Sequence, residues 1–265
     1  MFSLKHVILF LFTAAAIVTA LVLCGIFVKN ERGRRWVFLV MIIFNISTEI
    51  LKIFFYVKNP DPLFDWRVSD VYLQWDTLPF HLCSLFLWLL PIGVFAKGGI
   101  KEPIRVFLVY FGIFCGFAPL VASGWILGEP GLWLPILPQT ILPLRSFLYH
   151  GGIVFTAVFM GMCGWFKPNI KRVTVASGAM AAILVITLFL NLYAGTGFNH
   201  LTMREDNMFY FLMEAMTFVP YCIFVIHLIC SVPFIFHGVF LLARKIIARA
   251  KDWRMKVADT GRQGQ

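Results

Sequence analysis

Long apolar runs alternate with short polar stretches along this chain. The runs are about Lys5–Val28, Trp36–Val57, Leu78–Ala96, Ile104–Leu127, Leu144–Phe166 and Val173–Ala194, with a seventh within Phe209–Leu242. Because an α-helix rises about 1.5 Å per residue, a run of roughly 20 residues spans the ~30 Å hydrocarbon core of a bilayer. The pattern therefore predicts an all-α polytopic membrane protein with seven transmembrane helices.

The last apolar region is longer than one crossing needs, and Pro220 and Pro233 interrupt it. Its length fits either two short crossings or one tilted, kinked helix, with or without a short re-entrant segment before it. Two crossings would place the basic tail on the side opposite to the other basic loops. We therefore predict one crossing in this region.

Basic residues are distributed unevenly among the loops. Alternate loops, at residues 29–35, 97–105 and 167–172, together with the tail from Arg244, carry 17 of the 23 basic residues. The other loops carry 7 of the 13 acidic residues. The positive-inside rule then predicts that the basic loops and the C-terminus are cytoplasmic and that the N-terminus is outside.

Composition supports a membrane location and limits the classes of partner. The chain is 60% hydrophobic and only 14% charged, so a soluble protein is excluded. The net charge of +10 comes from clusters between apolar runs, which favours contact with lipid headgroups over nucleic acid. We predict a single domain over residues 1–256 in the cell membrane, a disordered tail over 257–265 and no cofactor; the oligomeric state stays open.

The sequence Leu78-Pro79-Phe80-His81-Leu82-Cys83 opens the third apolar run. Proline suits a first helical turn, because its missing N–H costs nothing there. This pattern predicts that Cys83 lies about one turn inside the third helix, on the order of 7 Å below its mouth. That depth is close to the ester linkages of a phospholipid.

Several polar residues in the apolar runs fall near the outer face in this topology. They are His81, Cys83, Arg145, His150, Glu49, Asn191, Asn199 and Glu214. A charged group at membrane depth costs about 2.5–3.5 kcal/mol on insertion scales, so such a cluster indicates a functional site. Glu49 and Lys52 have i, i+3 spacing, which is equally compatible with a purely structural ion pair.

The residue types in this cluster suit acyl chemistry. A Cys83 thiolate would attack an acyl carbonyl, with His150 or His81 as its base. Residues 81 and 83 are about 200° apart on a helix, which favours His150. Arg145 would hold a phosphate or an oxyanion. We assign Glu49, Asn191, Asn199 and Glu214 to substrate binding, and we predict no metal site because His-x3-His and Cys-x2-Cys spacings are absent.

Three short motifs resemble the YwaF-type integral membrane proteins of bacteria. They are the Leu-Pro-x-His-x-Cys start at Leu78, the Arg-x-Phe-x-x-His start at Arg145 and the segment from Asn191 to Asn199. Animal relatives of that family include a transmembrane phospholipid acyltransferase with a cysteine in the matching motif. The resemblance implies a seven-helix fold and a Cys83 nucleophile with His150 nearby.

Two functions are therefore open. The first is a thiol-dependent lipid acyltransferase with a Cys/His site near the outer leaflet. The second is a non-enzymatic transporter or lipid-binding protein that uses the same polar cluster. A retinal protein is excluded, because no lysine lies between Phe209 and Ala243 to form a Schiff base.

The charge pattern makes a direct prediction about topology. In a background whose six cysteines are replaced by serine, single cysteines at Asp65, Trp133 and Arg204 should react with an impermeant maleimide in intact cells. A cysteine at Lys251 should react only after permeabilisation, because the basic tail is retained inside. Labelling of position 251 in intact cells would overturn the predicted orientation.

Overall fold

The computed structural model describes residues 4–58, 79, 81–121, 138–194, 198–201, 212 and 215–263. Regular structure in this part of the chain is entirely helical, which confirms the all-α prediction. The α-helices are α1 (Leu4–Phe27), α2 (Glu31–Lys58), α3 (Leu85–Phe95), α4 (Lys101–Val121), α5 (Pro138–Met162), α6 (Ile170–Ala194) and α7 (Phe218–Gln263). A 3₁₀ turn at Phe198–His200 follows α6.

Four of these helices are long and apolar enough to cross a membrane, judged by length and composition over the described residues. They contain the segments His6–Phe27, Lys101–Val121, Ile170–Tyr193 and Phe218–Lys251. The apolar helix α3 has only 11 residues. The protein is thus a helical membrane protein, and the full count of seven crossings and the sidedness of the termini stay predictions.

Helix α4 lies at the centre of the bundle. It packs against α3, α5, α6 and α7, and most of its residues from Arg105 to Gly112 are buried. One apolar cluster joins α4 to α6 and α7 around Tyr110 and Met180. A second cluster joins α4 to α2, α3 and α5 around Phe86 and Ile153. Because α1 packs mainly on α5, it lies at the edge of the bundle.

Helices α4 and α5 approach each other closely through glycine. A Cβ atom at Gly112 would lie 2.6 Å from Cζ of Phe86 and 2.8 Å from Cβ of Ala157. One turn further on, a Cβ atom at Gly116 would lie 3.0 Å from the carbonyl oxygen of His150. Small residues at such crossings allow the two backbones to pack directly, as is common between membrane helices.

Helix α5 ends at Met162, whereas the apolar pattern predicted an end at Phe166. The chain turns at Gly164, whose φ of +71° is readily adopted by glycine, and the N–H of Trp165 donates to the carbonyl of Met160 at 3.2 Å. The Trp165 ring then lies beneath the Arg105 guanidinium, 4.2 Å from its central carbon. The apolar run is therefore longer than α5, because its last residues form a turn that caps the helix.

The prediction that Cys83 lies one turn inside the third helix is wrong. Helix α3 begins at Leu85, and residues 81–84 form a bend and a turn. The N–H of Leu82 donates to the side chain of Asn199 at 2.7 Å, which gives this backbone group a partner outside a helix. Leu78 and Phe80 of the same motif lie outside the described residues.

Helix α7 is a single helix that contains Pro233, and the number of crossings in the last apolar region stays a prediction. Its end at Gln263 lies beyond residue 257, so the predicted boundary of the tail falls within this helix.

Replacing Gly112 should weaken the contact between α4 and α5. We expect Gly112→Val to lower the free energy of unfolding by about 1–3 kcal/mol, because overpacking displaces the Phe86 ring or separates the helices. Gly178→Val in α6 is the matched control, since nothing lies within 4 Å of a Cβ atom there. Thermal unfolding in detergent would compare them, and equal melting temperatures would contradict the close approach.

Candidate functional site

The residues His81–Ser84 form a turn that leads into α3. The carbonyls of His81, Cys83 and Ser84 accept hydrogen bonds from the N–H groups of Leu85, Phe86 and Leu87, at 3.2, 3.2 and 3.0 Å. These bonds hold the turn against the first turn of α3. Cys83 therefore lies two residues ahead of the helix, in a backbone segment whose shape other elements must fix.

Two asparagines fix the turn from the side of α6. Asn199 has a φ of +58°, a conformation that asparagine tolerates better than most residues, and its Oδ1 accepts the N–H of Leu82. Asn191 holds the chain beside it, because its amide donates to the carbonyl of Phe198 at 2.8 Å and accepts from the N–H of Phe198 at 3.0 Å. The hydroxyl of Thr187 lies 3.4 Å from Nδ2 of Asn199 and accepts from it. The Asn191–Asn199 motif is thus a clamp for the cysteine turn.

His81 belongs to the same clamp. Its ring packs edge-on against the ring of Phe198, with centroids 5.1 Å apart. Since Phe198 is held by Asn191, the position of His81 also depends on the end of α6.

Tyr149 fixes the turn from the opposite side. Its hydroxyl donates to the carbonyl of Cys83 at 3.0 Å, and its side chain is almost fully buried in α5. The guanidinium carbon of Arg145, one helical turn earlier, lies 4.8 Å from the Tyr149 ring centroid. Tyr149 thereby connects the cysteine turn to a buried cation.

A buried ion network joins α2 and α5 next to this contact. The Nε of Arg145 donates to the carbonyl of Thr48 at 2.8 Å, and its Nη2 donates to Oε2 of Glu49. Nζ of Lys52 pairs with the other oxygen of Glu49. Glu49 and Arg145 are only 5% and 9% exposed, and two cations share one carboxylate, so the network keeps one positive charge.

The Cys83 thiol is within electrostatic range of this network. The cations of Lys52 and Arg145 favour its thiolate, whereas burial, which is the largest effect, and the Glu49 carboxylate oppose it. The structure thus brings together Cys83, Glu49 and Arg145, which the sequence assigned to one site, and adds Lys52 to them. Asn191 and Asn199 lie on the other side of the same turn, of which His81 is the first residue.

His150 is buried in α5, and its ring is engaged within its own helix. Its Nδ1 lies 2.8 Å from the carbonyl of Ser146 and 3.3 Å from the Ser146 hydroxyl. No hydrogen bond joins His150 to Cys83 in the described residues. Its role as a base stays a prediction, and the predicted site residue Glu214 lies outside the described residues.

Sequence reasoning missed Tyr149. It assigned Arg145 and His150 to one site, although these residues are about 140° apart on a helix, whereas Tyr149 at i+4 is only about 40° from Arg145. The i, i+4 rule applied to Arg145 would have indicated the tyrosine. Groups of three or more His, Cys, Asp or Glu side chains that could hold a metal ion are absent from the part of the chain that the structure describes.

Comparisons with known proteins identify one family. A family model described as the TMEM164 family, a family of transmembrane proteins, matches residues 1–237 of the 265. No curated protein and no solved structure matches the chain.

The ion network predicts a large effect at Glu49. We expect Glu49→Ala to cost about 3–5 kcal/mol of unfolding free energy, because it leaves Arg145 of α5 and Lys52 of α2 facing each other without a carboxylate. Glu31→Ala in the same helix is the matched control: Glu31 pairs with the exposed Arg35 and accepts a 3.3 Å hydrogen bond from Nε1 of Trp165, contacts that together are worth about 1–2 kcal/mol. Equal loss of stability in detergent for both variants would contradict a buried network.

Proposed function

This chain belongs to the TMEM164 family, and on that premise we propose that it is a multi-pass cell-membrane enzyme that transfers an acyl group between membrane lipids, with Cys83 as the nucleophile. The observation that carries the proposal is the position of Cys83 beside a buried network of net positive charge. A nucleophilic cysteine needs a held backbone and nearby cations that favour the thiolate against burial, which opposes it. Asn199 and Tyr149 hold this turn, and Lys52 and Arg145 are the cations. The likeness of the motifs to YwaF-type proteins and their acyltransferase relatives points the same way.

The proposed reaction has two steps. In the first, the Cys83 thiolate attacks the ester carbonyl of a donor lipid; a thioester forms, and the lysolipid alkoxide leaves and takes up the proton that came from the thiol. In the second, the hydroxyl of an acceptor lysolipid attacks the thioester, and an ester and the free thiol are produced. Water in place of the acceptor would give a fatty acid, which is the hydrolytic version of the same chemistry.

Arg145 and Lys52 are the proposed partners of the lipid phosphate. Two cations share the single carboxylate of Glu49, so one positive charge of this network has no counter-charge. A bound lipid phosphate would neutralise it. Lys52 is the more exposed of the two, at 15% of its side chain against 9% for Arg145, and would be the first to meet a headgroup.

The proposed base for the thiol is His81. The sequence favoured His150 because His81 and Cys83 would point about 200° apart if both were on a helix. This argument does not apply to a turn. His81 and Cys83 belong to one turn, and the Nδ1 of His150 is engaged with Ser146. We therefore place His150 second as the base.

A non-enzymatic lipid carrier or transporter is the alternative. The contacts of Asn199 and Tyr149 are to the backbone of the cysteine turn and not to the thiol, as would suit a purely structural turn beside a ligand site. A carrier would depend on Arg145 and Lys52 and tolerate the loss of the thiol.

The seven crossings, the external N-terminus and a site open to the outer leaflet complete the proposal. They follow from the partition of basic residues among the loops.

Labelling with a lipid-like acyl probe tests the proposed enzyme. The wild type should form a hydroxylamine-sensitive adduct, because thioesters are cleaved by hydroxylamine under mild conditions, and Cys83→Ser should fall to background. Cys24→Ser in α1 is the matched control and should label like the wild type. His81→Gln should slow labelling by about 10²-fold or more, as expected for loss of a general base, and more than His150→Gln does.

Melting temperatures of the variants would show that they fold. Equal labelling of wild type and Cys83→Ser would overturn the proposed nucleophile and favour the carrier.

A further inference from the structure

An apolar groove runs between α1, α2 and α5. Its volume is about 310 Å³, and its lining includes Ala16 and Ala20 of α1, Met41 and Phe44 of α2, and Gly151 and Gly152 of α5. Volumes of this size are typical of small ligand sites, and the lining is almost wholly hydrocarbon. The small side chains of Ala16 and Ala20 leave this space, whereas α1 comes close to α5 at Gly151, where a Cβ atom would lie 2.7 Å from Cγ2 of Thr13.

A buried amide borders this groove at Gly152. Asn45 is only 1% exposed, and neither its Oδ1 nor its Nδ2 has a hydrogen-bond partner among the described residues. A Cβ atom at Gly152 would lie 3.5 Å from Oδ1 of Asn45 and 3.1 Å from Cε1 of Phe44, so the amide lies directly behind this glycine of the groove wall. A buried amide without partners is costly, and in a binding site such a group is commonly satisfied by a ligand.

The polar groups of α2 follow the groove in a regular order. Asn45, Glu49 and Lys52 are spaced i, i+4 and i+7, which places them on one face of the helix over about 10.5 Å. Passing along this face, the groove residues come first, then a neutral amide, and then the ion network with Arg145. A glycerophospholipid has the same order of groups: an acyl chain, an ester carbonyl and a phosphate.

We propose that this groove is the acyl-chain subsite for a membrane glycerophospholipid. The chain lies between α1, α2 and α5 against Gly151 and Gly152, Nδ2 of Asn45 donates to the ester carbonyl, and the phosphate lies at Arg145 and Lys52. The inference rests on the proposed function in that this lipid is the substrate, yet the binding it describes requires no acyl transfer. Helices α1, α2 and α5 then decide which chains the protein accepts.

Photocrosslinking tests the subsite directly. Purified protein in phosphatidylcholine vesicles would be irradiated with a phosphatidylcholine that carries a diazirine midway along one acyl chain, and the crosslinked peptides would be mapped. We expect crosslinks concentrated on α1, α2 and α5. Ala16→Leu should reduce them several-fold by filling the groove, whereas Ala15→Leu, the same change at a neighbouring exposed position that does not line the groove, should not.

Asn45→Leu separates binding from a structural role. If Asn45 were needed for packing, its replacement would lower the stability of the protein. Because its amide has no protein partner in the described part of the chain, we expect its replacement to leave the melting temperature undiminished. We expect Asn45→Leu to melt at or above the wild-type temperature and to crosslink several-fold less.

Crosslinks spread evenly over the lipid-facing helices, or equal labelling of the Ala16→Leu and Ala15→Leu variants, would overturn the subsite. Protein-to-protein crosslinks at the groove would overturn it in favour of a helix from a second copy. Cys83→Ser should crosslink like the wild type. If it does so while also retaining acyl transfer, the proposed nucleophile fails and the subsite stands.

Discussion

The architecture depends on the buried ion network between α2 and α5, where there is little water to solvate charge. Glu49 is shared by Arg145 and Lys52, and a second bond from Arg145 to the carbonyl of Thr48 ties α5 to the backbone of α2. Each of these groups would be expensive alone in a bilayer, and together they leave one net positive charge. That constraint fixes the separation of the two helices, and Tyr149 extends it to the turn before α3.

The cysteine turn is held between two separate supports, and this explains why it does not fold as part of the helix. The amides of Asn191 and Asn199 position it from α6, and the tyrosine hydroxyl positions it from α5. The supports act on backbone groups, so the side chain of Cys83 can be changed without removing them. A thiol presented in this way is suited to chemistry, because the protein fixes where it is without using its sulfur.

The sequence predicted some elements of the fold and of the candidate site better than others. The long apolar runs predicted the helices α1 and α6 closely, because composition and length alone decide whether a segment is helical in a membrane. The start of α3 was not predictable, since the bond from Leu82 to Asn199 joins residues 117 positions apart. Polar residues in the apolar runs indicated Arg145, Glu49 and Asn191 as buried groups. They did not indicate Tyr149, and the structure shows that this residue contacts the cysteine turn.

Helix α7 has 46 residues, which at about 1.5 Å per residue makes it about 69 Å long, roughly twice the hydrocarbon thickness of a bilayer. The family match ends at residue 237, yet the helix continues without a break through the exposed residues 241–251 to Gln263. Its other half packs in the bundle through Tyr221 and Val225. The first half of the helix is therefore anchored in the core beside α4 and α6, and its basic residues from Arg244 onward lie beyond the hydrocarbon thickness, where headgroups and water solvate their charges.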